Sequence, residues 1–107
     1  MGDRFKSVVY IELLEFFEKH GVSLAECGVG YRGLPEPFAR QFLSLLASRN
    51  IRPLGLDVWR HRATGYSMDS LAGWASVSAA PGSAHQEALE VLATAELQAN
   101  DVVSFQF

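Results

Sequence analysis

Pro53-Leu54-Gly55-Leu56-Asp57-Val58-Trp59-Arg60-His61 is the stretch whose reading decides the fold. Read at the two-residue period of a strand, it has two unlike faces. Leu54, Leu56 and Val58 point one way and are expected in the core. Gly55, Asp57, Trp59 and His61 point the other way. That second face carries an acid, a large aromatic and an imidazole. It is either covered by another part of the chain or offered to a partner.

Around this strand the chain reads as alternating helices and strands. Residues 4–20 are expected to be helical, with Phe5, Val9, Leu13, Phe16 and Phe17 at helical spacing and Glu12, Glu15 and Lys19 on the wet side. Val8, Tyr10, Ile11 and Leu14 widen the apolar stripe, so this helix is expected to pack on more than one side. Gly21 follows as a left-handed helix end. Residues 21–34 contain Gly21, Gly28, Gly30 and Gly33 and read as a connection with a short strand or turn. They lack the spacing of a phosphate loop or a dinucleotide fingerprint.

Pro35-Glu36-Pro37 opens a second helix, where proline is tolerated and the acid complements the helix dipole. Its stripe is Phe38, Phe42, Leu45 and Leu46, and Asn50 lies near its end. The strand is expected from Ile51 to Arg62, with Pro53 limiting its start to an edge or irregular pairing. Ala63 to Tyr66 reads as a turn. Ser67 to Val77 reads as a short turn or helical piece running into a strand near Trp74. Ala79-Ala80-Pro81-Gly82 is expected as a loop. Ser83 would then cap a third helix, with Gln86 completing a capping box. Ala88, Val91, Leu92, Ala95 and Ala99 form that helix's stripe. Val102 to Phe107 alternate as a half-buried final strand. Three helices on a small sheet of three to four strands make one α+β domain over residues 1–107.

The chain's 107 residues suit one domain, and 49% are apolar, enough for a core. No apolar run is long enough to span a membrane, and the N-terminus lacks the architecture of a signal peptide, so a cytoplasmic location is expected. Cys27 is the single cysteine and reads as a small, partly buried residue. Charge is uneven. All nine Lys and Arg lie at or before Arg62, against seven acids there, giving +2. Residues 63–107 hold five acids and no Lys or Arg, giving −5. Such a balance attracts basic partners and repels nucleic acid.

No residue pattern specifies an enzyme, a cofactor or a metal. Asp57 and His61 would stand about 13 Å apart along a strand, too far to share an ion. The serines lack a nucleophile elbow. Trp59-Arg60-His61-Arg62 places bases beside an aromatic, which is a weak case for nucleic-acid stacking. Protein binding fits better, because tryptophan and tyrosine concentrate interface energy. The alternative for Trp59 and Trp74 is that they are core.

Several segments together resemble a known family. They are Val22-Ser23-Leu24-Ala25-Glu26-Cys27-Gly28-Val29, the helix through Ala39 and Leu46, Ile51-Arg52-Pro53-Leu54-Gly55-Leu56-Asp57-Val58-Trp59, and Trp74 about 15 residues later. They resemble the immunity protein 40 family of bacterial polymorphic toxin systems, over roughly residues 21–92. In that family the strand typically reads Leu-Gly-Gly-Asp-Val-aromatic and the later motif Asn-Trp-Tyr. Here Leu56 replaces the second glycine, and Gly73 and Ala75 flank Trp74. The resemblance implies a non-enzymatic antidote that binds and blocks a cognate toxin, with no cofactor. A basic nuclease-type effector would suit the acidic half. On this reading Asp57, Trp59, Tyr66, Asp69 and Trp74 bind the partner. The alternative is an interaction or accessory domain without a toxin, or a weak nucleic-acid-binding module.

Overall fold

The computed structural model describes residues 2–76 and 81–107, with side chains from Tyr10 to Ser76 and from Ser83 onward. In chain order the elements are α1 (Gly2–His20), β1 (Val22–Ser23), a 3₁₀ turn (Ala25–Cys27), β2 (Arg32–Pro35), α2 (Glu36–Ser48), β3 (Gly55–Arg62), β4 (Gly65–Ala75), α3 (Pro81–Thr94) and β5 (Val102–Gln106). The strands form one antiparallel sheet in the order β1-β2-β5-β3-β4. The α+β class is as expected, with five strands where three to four were expected. The stripe residues Phe5, Val8 and Val9, the strand end at Val77 and the loop residues Ala79 and Ala80 lie outside the described residues or side chains.

One face of the sheet carries the main core. Leu56 and Val58 of β3 and Val103 of β5 are fully buried there against the helices. From α1 come Leu13, Phe16 and Phe17, at the i, i+3, i+4 spacing of one helical face. Phe16 and Phe17 meet Phe42 of α2 at ring-centroid distances of 5.7 and 4.7 Å. On α2 the buried residues are Ala39, Phe42, Leu43 and Leu46. The expected stripe through Phe38 and Leu45 is thus rotated toward Ala39 and Leu43. The small Ala39 lets the backbone approach, and Phe38 stacks on His20 at the margin, 4.2 Å between ring centroids.

The opposite face carries a second, smaller core. Val102 and Trp59 lie there with Leu24, and Val22, Cys27, Val29 and Tyr66 pack around them. The segment after β1, residues 24–29, therefore covers the sheet from behind. Gly33 permits this closeness, since a Cβ there would sit 2.4 Å from Val102 Cγ2. Gly21 likewise serves close approach. Its φ is not left-handed, and a Cβ would sit 2.4 Å from the Phe17 carbonyl oxygen.

Further expectations are corrected. β3 starts at Gly55 rather than Ile51 and lies between β5 and β4, while the buried Pro53 stands outside the ladder, in keeping with the irregular start expected of it. Leu54 precedes the strand and is 51% exposed, so it is not core. The helical piece expected after Ser67 is strand, because β4 runs unbroken as a chain of pairs and one wide bulge from Gly65 to Ala75. The turn is only Ala63-Thr64. α3 begins at Pro81, where proline suits a first turn. Ser83 thus lies inside the helix and is no N-cap, and Gln86 donates to Glu90 instead, at 3.4 Å. Ala99 falls beyond the helix and is exposed.

Candidate functional site

The five residues expected to bind a partner do not share one surface. Trp59 and Tyr66 belong to the second core. Trp59 is only 6% exposed, and its Nε1–H donates to Ser104 Oγ at 3.0 Å. A tryptophan this enclosed supplies stability and has no free face for a partner. It is equally closed to a nucleic-acid base. Tyr66 stands edge-on to His61, and its carbonyl accepts from Cys27 Sγ at 3.3 Å. Burial raises the Tyr66 phenol pKa, helped by Asp101 and Cys27. Asp57 is half-buried on that same face and accepts from Gln106 Nε2 at 3.2 Å.

Asp69 and Trp74 are brought together, on the helix side of β4. The β3–β4 register explains how. Leu56 faces Trp74 and Val58 faces Asp69, so Ser70–Gly73 stand opposite the single residue Asp57. This wide bulge bends the edge strand and pushes Leu71 outward, where it is 96% exposed. Asp69 holds the bulge, with Oδ1 accepting from the Leu71 N–H at 3.1 Å.

Between the bulge and α3 lies a groove of about 650 Å³. Its sheet wall is Arg60, Asp69, Leu71 and Trp74, and its helix wall includes Glu87, Glu90, Val91 and Thr94. Those four recur at i, i+3, i+4 and i+7, one face of the helix. Ala84, Ala88 and Leu92, on the adjacent face, are buried in the core. The helix is thus seated by small residues and presents carboxylates to the groove. Glu96 adds another acid at its end. Glu87 Oε2 is shielded from solvent and has no hydrogen-bond partner among the described residues. An unsatisfied buried carboxylate oxygen favours an incoming donor.

Arg60 forms one end of the groove and was missed as a structural residue in the sequence. Its Nε donates to Asp69 Oδ2 at 3.0 Å and its Nη1 to Asp101 Oδ2 at 3.1 Å. Nη2 donates to the Ala95 carbonyl at 2.7 Å and Nη1 to that of Glu96 at 3.3 Å. The guanidinium thus caps the open carbonyls after α3, where a cation is favoured. Asp101 also accepts from the His61 N–H at 2.8 Å and the Gln98 N–H at 2.9 Å. Burial alone would raise the pKa of Asp101, but these donors and Arg60 bring it below the ordinary carboxylate value. Asp69 is lowered chiefly by its hydrogen bond from Arg60. Burial opposes the charge on Arg60, yet the two carboxylates raise its pKa overall. Because Asp69 and Asp101 share this cation, Arg60 leaves Glu87, Glu90 and Glu96 unneutralised.

No three His, Cys, Asp or Glu side chains among the described residues are close enough to hold a metal ion. No described helix is long and apolar enough to cross a membrane. No family model, curated protein or solved structure matches the chain.

Proposed function

We propose that this chain is a cytoplasmic, non-enzymatic immunity protein whose β4–α3 groove binds a basic surface of a cognate toxin domain. The observation that carries the reading is the groove itself. Glu87, Glu90 and Glu96 are gathered on one wall without ion-pair partners among the described residues, and Glu87 Oε2 awaits a donor. Acids so placed steer and hold lysine or arginine side chains.

Trp74 and Leu71 supply the apolar contact that charge alone lacks. Trp74 lines the groove, and Leu71 projects from a bulge already fixed by Asp69 and Arg60. A preorganised knob loses little freedom on binding. The partner residues of the proposal are therefore Asp69 and Trp74, now joined by Leu71, Glu87 and Glu90. Trp59 and Tyr66 act behind the sheet as support.

The test is co-expression with the product of the gene directly upstream. A complex that survives purification, weakens with salt and is lost in a Glu87→Lys, Glu90→Lys variant is expected. No complex, or one indifferent to that charge reversal, contradicts the assignment.

A further inference from the structure

The first helix keeps an apolar side that remains exposed among the described residues. Its sequence carries a stripe too wide for one packing partner. In the fold, Leu13, Phe16 and Phe17 satisfy one side against α2 and the sheet. Tyr10, Ile11 and Leu14 remain 54%, 53% and 49% exposed. Beside them a groove of about 460 Å³ opens, bounded by Tyr10, Leu14 and Phe17 on one side and by Tyr31 and Phe107 on the other. The groove has a topological cause. β2 pairs with β5 only through Leu34–Val103 and Pro35–Val102, and toward Tyr31 the two strands part.

We infer that this face is a two-fold interface with a second copy of the chain. The charges at the groove decide the occupant. Glu18 and Arg32 both line it, and among the described residues neither has an ion-pair partner. In a two-fold dimer any contact from residue i to residue j is repeated from j to i. A contact between Glu18 of one copy and Arg32 of the other, whose Nη1 otherwise reaches only the Gly21 carbonyl at 3.4 Å, would thus form twice. This patch is self-complementary in charge, unlike the β4–α3 groove, whose acids would repel their own copies. Five aromatic rings, those of Tyr10, Phe17, Tyr31, Phe105 and Phe107, beside an aliphatic stripe match the composition of an interface centre. Because the patch lies by β2 and β5 and the acidic groove by the far edge strand β4, such a dimer leaves both acidic grooves open. The inference stands apart from the toxin-binding proposal.

Sedimentation equilibrium of the full chain over micromolar to millimolar concentration tests it. The expected species has twice the 11.8 kDa chain mass. Leu14→Glu should give a monomer with unchanged circular dichroism and melting temperature, since Leu14 is half-exposed. Glu18→Arg should also weaken the dimer, and adding Arg32→Glu to it should restore association. A wild-type chain that stays monomeric throughout overturns the inference. So does a dimer that survives both Leu14→Glu and Glu18→Arg.

Discussion

The indole N–H of Trp59 donates to the Ser104 hydroxyl at 3.0 Å, and both side chains are buried between the sheet and the segment behind it. Trp59 pairs with Val102 and Asp57 with Ser104, so the bond runs diagonally between β3 and β5 on one face. It satisfies the one polar atom of the largest side chain in the second core. Trp59→Ala should cost about 3–5 kcal/mol of stability. Ser104→Ala, which orphans the indole N–H, should cost about 1–3 kcal/mol. Urea unfolding of both variants and of the double variant reads this directly. A Trp59→Ala protein with unchanged stability would show that the indole is not core.

Arg60 should matter to stability more than an ordinary surface arginine. It joins Asp69, Asp101 and two carbonyls after α3, and the Asp101 side chain is only 3% exposed. Removing one member of a largely buried pair leaves the other charge uncompensated, at a cost of about 3 kcal/mol or more. Arg60→Met is expected to fall in that range. Arg60→Lys should recover only part of it, because one ammonium cannot reproduce the planar fork. Equal stability of Arg60→Met and wild type in chemical denaturation would contradict this.

Acid should unfold the protein through Asp101 and Asp69. Both have folded-state pKa values below the ordinary one, Asp101 because donors outweigh burial and Asp69 chiefly through Arg60. In the unfolded chain they titrate near about 3.9. As pH falls, the unfolded state therefore takes up these protons first. Their stabilisation is complete above about pH 5 and declines below about pH 4. Asp101→Asn should be less stable at neutral pH and lose stability less steeply in acid. An unchanged acid slope in that variant would count against the role given to Asp101.

Gly33→Ala should destabilise despite adding only a methyl group. The new Cβ would stand 2.4 Å from Val102 Cγ2 and 2.8 Å from Val102 Cβ. Such overpacking costs about 1–3 kcal/mol. Thermal melts should show a clear loss for Gly33→Ala and little change for Gly30→Ala, where nothing lies within 4 Å of the added atom.

The helices and the buried half of β3 were legible because burial repeats along them. Leu56 and Val58 alternate, and Phe42 with Leu46 returns each helical turn. The amphipathic period says which face is covered but not by how many layers. That is why Trp59 reads either as core or as an anchor: nothing local announces that residues 24–29 fold back over the sheet. β4 was misread for a different reason. Its bulge breaks the two-residue alternation, so Met68 and Leu71, both exposed, mimic a helical spacing. The site was half legible. Asp69 and Trp74 were named from the sequence, and the fold brings them to one groove with Glu87 and Glu90. The Arg60–Asp101 lock, spanning 41 positions, left no sequence signal beyond two isolated charges.

The central claim is that the groove between β4 and α3 binds a basic protein. Titration calorimetry of the chain against the purified, catalytically disabled product of the upstream gene tests it most directly, comparing wild type with Glu87→Lys, Glu90→Lys. Glu90 is exposed and Glu87 is half-buried with no hydrogen-bond partner at Oε2 among the described residues, and a thermal melt of the variant checks that it stays folded. The account predicts tight, salt-sensitive binding by wild type and a loss of at least about 2 kcal/mol in the variant. Equal affinity of the two proteins for that partner would contradict it.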